Sequence, residues 1–395
     1  MATDFLHGVE TVTVDRGPRP VQTVRSAVIG LIGTAPAADA EAFPLDEPVL
    51  ITSRGQAAKI GATGTLPKAI EGIFDQIGAF VVVVRVAEGA GADDAAKLEA
   101  TLENIIGEVE AGTGKLTGAH ALRAAESAVG VTPKLLIAPG FTSIRPIVNA
   151  AATKNPVVDA LKSHAERMRA HVIFLGPNTT DAAALTYRAE HSGRRLFMVD
   201  PGINGGEDPA ARIAGLIAKT DATEGFWQSP SNRVINGVNS LDRPIDYADG
   251  DPTTRANLLN ADEVATIIRA DGFRLWGNRT LSEDPKWAFL SRSRVADMID
   301  ESIQRGHRWA VDKGITRGYF DDVTGSVNLF LRSLQSRGGI LGGKCWADPD
   351  FNQPTDLAAG GATFSYEFTS PPPAERVTFR SHSVDDYLAN IFTVA

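Results

Sequence analysis

An α/β body with a mostly parallel sheet, followed by an α+β C-terminal domain and carrying an extended arm at each end, is the fold predicted by three features of the sequence. Between residues 25 and 200, short apolar runs alternate with helical patterns. After about residue 255 the alternation gives way to longer helices and then to two short alternating runs. At each end, a short segment stands apart from the apolar runs. The expected boundaries are an N-terminal arm at 1–24, an α/β domain at 25–254, a C-terminal domain at 255–384 and a C-terminal arm at 385–395.

In chain order, VETVTVD at 9–15 alternates like a strand, and RGPRP at 16–20 breaks it. The runs SAVIGLIG, PVLITS, FVVVVRV, KLLIAPG, HVIFLGP and RLFMVDP follow. They are apolar on both faces, as buried strands of a mostly parallel sheet are. Between them, Thr65 is placed as the N-cap of a helix over 65–78, with Leu66, Ile70, Ile73, Phe74 and Ile77 on one face. Asn155-Pro156 opens another, aligning Val158, Leu161, Ala165 and Met168. Further on, Asn260 and Glu263 make a capping-box-like start to a helix with Val264, Ile267 and Ile268 inward, ended by Gly272. Asp284-Pro285 starts the next, with Trp287, Leu290, Val295, Met298, Ile299 and Ile303 mostly inward. A helix over 320–337 carries Phe320, Val323, Val327, Phe330, Leu331 and Leu334 at 3/4 spacing and stops at Gly338-Gly339. ATFSYEFT and RVTFRSHSV then alternate as strands, joined through SPPPAE, and DDYLANIFTVA trails behind as an amphipathic tail.

Composition removes several function classes. The chain has 395 residues, enough for two cores, and its formal net charge of −9 argues against a general attraction to nucleic acid or anionic membrane. A single cysteine, Cys345, excludes an intrachain disulfide and a thiolate zinc cluster, and its expected role is a buried structural thiol. MATDFLHGVETV has neither a basic n-region nor an apolar h-region, so export by a signal peptide is not expected. No run reaches the ~20 apolar residues of a membrane span.

Chemistry, if the chain carried any, would be expected in the α/β region. GLIGTAP at 30–36 follows a strand but matches neither the dinucleotide nor the phosphate-loop glycine pattern, and a tight strand exit is the expected reading. His164 and His171 lack carboxylates at ligand spacing, His191 and His307 stand alone, and Ser143, Ser163 and Ser192 have no triad order beside them. No catalytic, cofactor or metal residue is therefore expected. Residues 267–290 crowd Phe273, Trp276, Trp287 and Phe289 with Arg274 and Arg279. The aromatics are expected to form the C-terminal core and its seam with the α/β domain. Arg274, Arg279 and Arg292 either satisfy local oxygens or bridge subunits. An α/β enzyme with its ligand at the strand C-termini, near GLIGTAP and IAPG, is the alternative reading.

HGV at 7–9, GFWQSPSNRVINGV at 225–238, residues 255–290, HRWAVDKGIT at 307–316 and PPPAE near 371 together resemble contractile tail sheath proteins, especially the sheath of R-type pyocins and related temperate contractile-tailed phages. The likeness spans nearly the whole chain and is weakest at 87–130. It implies a homo-oligomeric helical sheath of stacked six-fold rings around an inner tail tube, attached to baseplate and tail terminator proteins. The C-terminal domain would then be the inner one and the α/β domain the outer. It further implies arms that add strands to small sheets of neighbouring subunits, a mode in which main-chain hydrogen bonds hold and side-chain pockets set register. Val9, Thr11 and Thr13, with Val12 and Val14 opposite, fit the donated N-terminal strand, and Leu388, Ile391 and Phe392 are the candidate anchors of the C-terminal arm. The acceptors would be 362–369 and 376–384. The candidate inner-tube contacts are Lys313, Arg317, Arg332 and Arg337, a basic surface on an acidic chain. No cofactor, nucleic-acid partner or membrane insertion is implied. The particle would be made in the bacterial cytoplasm and released by lysis.

Overall fold

The computed structural model describes residues 19–148 and 151–392. Val9, Thr11, Val12, Thr13 and Val14 lie outside the described residues.

Each of the six apolar runs forms one strand of a single sheet: β1 (Ile29–Thr34), β2 (Pro48–Ile51), β3 (Val81–Val86), β4 (Leu135–Ile137), then, after a small hairpin of β5 (Ile147–Val148) and β6 (Ala151–Ala152), β7 (His171–Leu175) and β8 (Leu196–Val199). The order is β2-β3-β1-β4-β7-β8, and all neighbours are parallel except β2, which runs antiparallel to β3. Helices cover both faces, and for that reason the strand sequences do not alternate. Against one face, α1 (Leu66–Phe74) and α7 (Ala210–Thr223) bring Ile70, Ile73, Ile213 and Ile217 onto Ile29, Leu31, Val81, Val83 and Phe197. Against the other lie α2 (Asp94–Ile106), α3 (Gly118–Ala121), α4 (Ala125–Val129), α5 (Pro156–Met168) and α6 (Asp181–Ala189), with Leu102, Ile105, Leu161 and Tyr187 on Val82, Val84, Leu136 and Phe174.

The start of α5 is built as expected: Asn155 Oδ1 accepts from the N–H groups of Val157 and Val158, and Pro156 occupies the first turn. Thr65 stands at the N-cap of α1 but makes no cap bond. Its hydroxyl instead accepts from Thr34 N–H at 3.2 Å, tying the helix start to the end of β1.

The region after residue 230 departs from expectation. The helix there is α8 (Arg255–Ala261), capped by Thr254, and residues 264–268 do not continue it. They lead into β10 (Thr266–Arg269), which pairs antiparallel with β11 (Phe273–Trp276), and β11 pairs with β9 (Arg233–Val234). Asp271 and Gly272, both at positive φ, turn the chain between β10 and β11, so the Asp-Gly pair is a hairpin turn and not a helix stop.

Asp284-Pro285 opens only a short 3₁₀ turn at Pro285–Trp287; the long helix α9 runs over Leu290–Gly306. Next come α10 (Arg317–Ser336), β12 (Gly342–Ala347), α11 (Pro354–Ala358) and β13 (Phe364–Thr369). A second core joins Val295, Met298 and Ile299 of α9 to Val327, Phe330, Leu331 and Leu334 of α10, with Phe226, Trp227, Ile340 and Cys345. β13 pairs antiparallel with β12, a strand the sequence pattern did not announce. RVTFRSHSV at 376–384 is not a strand here, and Phe379 is 90% exposed. Alternation needs a neighbouring strand to become a ladder, and among the described residues this segment has none.

The cores do not divide at residue 255. Ala265, Ile267, Leu275 and Leu290 pack into the core on the α1/α7 side of the sheet, and Leu259, Val264 and Leu281 into the core on the other side.

Candidate functional site

In an open α/β sheet the natural ligand crevice lies where strand order reverses, outside the strand C-termini. Here that point is between β1 and β4. The chain fills it. A Cβ on Gly33 would stand 2.4 Å from Thr65 Oγ1, and Leu66 is fully buried beside it. Across the gap, the buried Asp208 carboxylate accepts from Gly140 N–H at 3.0 Å and Ala210 N–H at 2.9 Å. Burial pushes Asp208 up to about 6, against the pull of those two N–H groups. Strand exit, helix start and loop are thus packed on one another, and the crevice serves as a join.

A run of buried charge pairs lies along α9, between the α/β body and the second core. Val295, Met298 and Ile299 face the second core, while Ser293, Arg294, Asp297, Asp300 and Glu301 take partners in the α/β body. Arg294 donates to both oxygens of Asp221 on α7 at 2.9 and 2.5 Å and to Ser26 C=O at 3.1 Å. Arg195 forks onto Asp297 at 2.5 and 3.0 Å and reaches Glu166 at 2.8 Å. Lys134 pairs with Glu301 and donates to Met168 C=O at 2.8 Å. Each of the three pairs Arg294–Asp221, Arg195–Asp297 and Lys134–Glu301 is buried on both sides. Their spacing on α9 (294, 297, 301) puts them on one stripe.

The charges are tuned by this burial. Burial lowers the Lys134 ammonium from its ordinary value, against the opposing pull of Glu301. Burial works to raise the Asp297 carboxyl, but its surroundings outweigh that and hold it below the usual range. His171, 3.9 Å from Asp297 and bonded to Ser293 Oγ at 2.9 Å, is pushed down to about 3 by burial. It is therefore neutral near pH 7, and Arg195 is the counter-ion. Isolated charges in such a place would cost several kcal/mol, and each of these is answered by its partner across the seam.

Each end of the described chain leaves the second core near an arginine on an aromatic ring. At the front, Arg19 lies 4.9 Å from the Trp309 ring centre, Ser326 Oγ donates to Arg19 C=O at 2.6 Å, and Val24 N–H donates to Ser302 Oγ at 3.1 Å. At the back, Arg279 lies over Phe289 and forks onto Glu375 at 2.8 and 2.6 Å.

The tail sheath profiles match this chain in three stretches: the phage tail sheath protein central domain over residues 114–281, the phage tail sheath C-terminal domain over 282–383, and the N-terminal region of domain III of tail sheath protein Gp18 over 26–86. The chain is 42% identical over 402 residues to a prophage major tail sheath protein of Pseudomonas aeruginosa strain UCBPP-PA14, covering 99% of this chain and 100% of that one. It is 36% identical over 403 residues to the tail sheath protein of Escherichia phage P2, covering 99% and 98%. The chain belongs to the phage tail sheath family. It is a tail sheath subunit. Its fold matches the helical sheath of the anti-feeding prophage in the contracted state, with a TM-score of 0.69 at 18% identity over 96% of this chain and 100% of that one. It also matches the contracted sheath complex of the PVC extracellular contractile injection system, at 0.67 and 14% over 98% and 99%.

In this sheath subunit the positions singled out from sequence are scattered. Lys313, Arg317, Arg332 and Arg337 are all exposed, but they run from before α10 to just past its end, a span of ~30 Å at 1.5 Å per residue, with exposed Asp321 and Asp322 among them. Lys313 lies 5.3 Å from the Trp309 ring centre and Arg337 5.1 Å from that of Trp227. Leu388 and Ile391 are exposed on a 3₁₀ segment, Asp386–Phe392, whose last residue is Phe392. Phe273, Trp276, Trp287 and Phe289 are half-buried and not in the second core. Phe273 packs against the core on the α1/α7 side of the sheet, as a seam residue would, while Trp287 lies under Arg194 and Trp276 against Tyr247. Arg274 satisfies carbonyls of Ala270 and Asn232, and Arg279 a carboxylate, all within the chain. The stripe on α9 went unread because Asp221, Arg195 and Lys134 lie 73 to 167 residues away from their partners in sequence.

Proposed function

We propose that this sheath subunit polymerises as stacked six-fold rings around an inner tail tube, between baseplate and tail terminator proteins, and contracts to drive the tube through a cell envelope. The observation that carries the reading is the β12–β13 hairpin. Each of its strands has one neighbour among the described residues, so each offers an open edge to a strand from another subunit. Residues 9–14 supply one such strand and the segment around Leu388, Ile391 and Phe392 the other. The working division of the chain falls near residue 281, with 255–281 riding on the outer α/β body and α9 to β13 forming the inner part. Lys313, Arg317, Arg332 and Arg337 face the tube.

The subunit acts without catalysis of its own. Contraction draws on free energy stored in the packing between subunits, and the ion-paired seam lets each subunit move as one rigid body. The subunit is made in the host cytoplasm and leaves by lysis as part of a phage tail or a headless tailocin. Deleting residues 1–16 or 385–395 tests this. Both truncated chains should stay folded, with thermal melts close to that of the intact chain, and form no tubes by negative-stain microscopy. Full-length sheaths from either truncation would overturn the assignment of the arms.

A further inference from the structure

We infer that Arg279 and Glu375 form a latch that sets where the C-terminal arm leaves the subunit; the inference rests on the arm reading above. Ser370, just after β13, is buried, and Pro371-Pro372-Pro373 then carries the chain to Glu375. Three consecutive prolines keep to the extended, stiff polyproline geometry, so five residue steps from Ser370 span ~15 Å at 3.1 Å each. A cleft of about 770 Å³ opens beneath this strut, lined by Trp227, Trp276, Asn278 and the prolines themselves.

Hydrogen bonds from one side chain hold the far end of the strut. Arg279 Nε and Nη2 donate to the two Glu375 oxygens at 2.8 and 2.6 Å, and the guanidinium is itself placed by Phe289, 5.4 Å from the ring centre. A forked pair of this kind fixes direction as well as distance, which a lysine in the same place would not. Beyond it, residues 376–388 make no hydrogen bond to the rest of the described subunit, and Val377, Phe379 and Tyr387 are largely exposed. Arg279 and Glu375 are thus positioning residues. A stiff strut pinned at both ends fixes the point and heading from which the arm reaches a neighbour. A free strut would swing about residue 370 and spread the same arm over many headings.

The test uses the full chain in two assays. In the isolated subunit, trypsin should cut wild type after Arg380 several-fold faster than after Arg376, because Arg376 adjoins the pinned residue. Glu375→Gln should bring the two rates together. In assembly, Glu375→Arg, which sets two cations face to face, should cut the yield of sheaths several-fold, and Arg279→Glu in the same chain should restore it. Equal cleavage at the two sites in wild type, wild-type assembly by Glu375→Arg, or no recovery in the exchanged pair would each overturn the latch. Deletion of 385–395 keeps the two ideas apart. If the deletion abolishes tubes while Glu375→Arg builds them normally, the arm stands and the latch falls.

Discussion

Replacing Arg294 by Met should destabilise the isolated subunit by about 3–5 kcal/mol. Arg294 and Asp221 have side chains only 3% and 4% exposed, and the guanidinium makes three hydrogen bonds, two of them to the carboxylate. Without it, Asp221 stays buried with only the Ser26 hydroxyl, at 2.5 Å, to answer its charge. An exposed pair with the same distances would be worth at most about 1 kcal/mol, so burial decides the size of the effect. Met retains most of the apolar bulk of the arginine stem, which limits any cavity contribution. The same reasoning sets an expectation for the double variant. Met at 294 with Leu at 221 removes both charges, leaves only the Ser26 hydroxyl and carbonyl without these partners, and should regain most of the wild-type stability. Urea unfolding followed by tryptophan fluorescence suits the measurement, because all five tryptophans lie at or after Trp227, around the second core and its seam. A loss below about 1 kcal/mol in the single variant would mean that the seam is wet. A double variant as unstable as the single one would mean that charge burial is not what the pair controls.

Acid should weaken the subunit. His171 is pushed down to about 3, and His164 and His191 to about 4, in each case chiefly by burial. A histidine with a lowered folded pKa contributes stability that is complete above its unfolded value near 6.5 and is lost as pH falls from there toward the folded value. At pH 5, His171 alone would then account for roughly 2 kcal/mol. Asp208, raised to about 6, has the opposite sign and gains stability as pH falls below 6, offsetting part of the loss. Thermal melts at pH 7 and pH 5 should show a clear drop, and a smaller one in His171→Gln; equal drops would rule out His171 as a source. Reversing Lys313, Arg317, Arg332 and Arg337 to Glu should weaken assembly around the tube, and more so at low salt, where exposed charges are least screened. Unchanged tube-dependent assembly at low ionic strength would remove that surface from the tube interface.

The six sheet strands were legible because a strand covered on both faces must be apolar throughout, and few other short segments are. The same rule produced the main misreading. Val264, Ile267 and Ile268 have the spacing of a helix face, but Thr266, Ile267 and Ile268 are all buried, which is the signature of a strand covered on both sides. The Asp271-Gly272 turn was the signal that separates the two. GGKCWA, a strand beside β13, had no apolar alternation to betray it, since its two glycines and its exposed Lys344 interrupt the pattern.

Composition, the apolar strand runs and the long motifs were enough to settle the α/β class and the sheath family, because burial on both faces and the chemistry of turns are written locally along the chain. The direction of β2, the filled crevice between β1 and β4 and the charge stripe of α9 were decided only in three dimensions. A guanidinium on a helix looks the same in sequence whether it faces water or a carboxylate 73 residues away, and only the packing of α9 between the two cores takes the water away. The Arg279–Glu375 fork is likewise invisible in sequence, because its meaning depends on a stiff proline strut ending 96 residues downstream of the arginine that holds it.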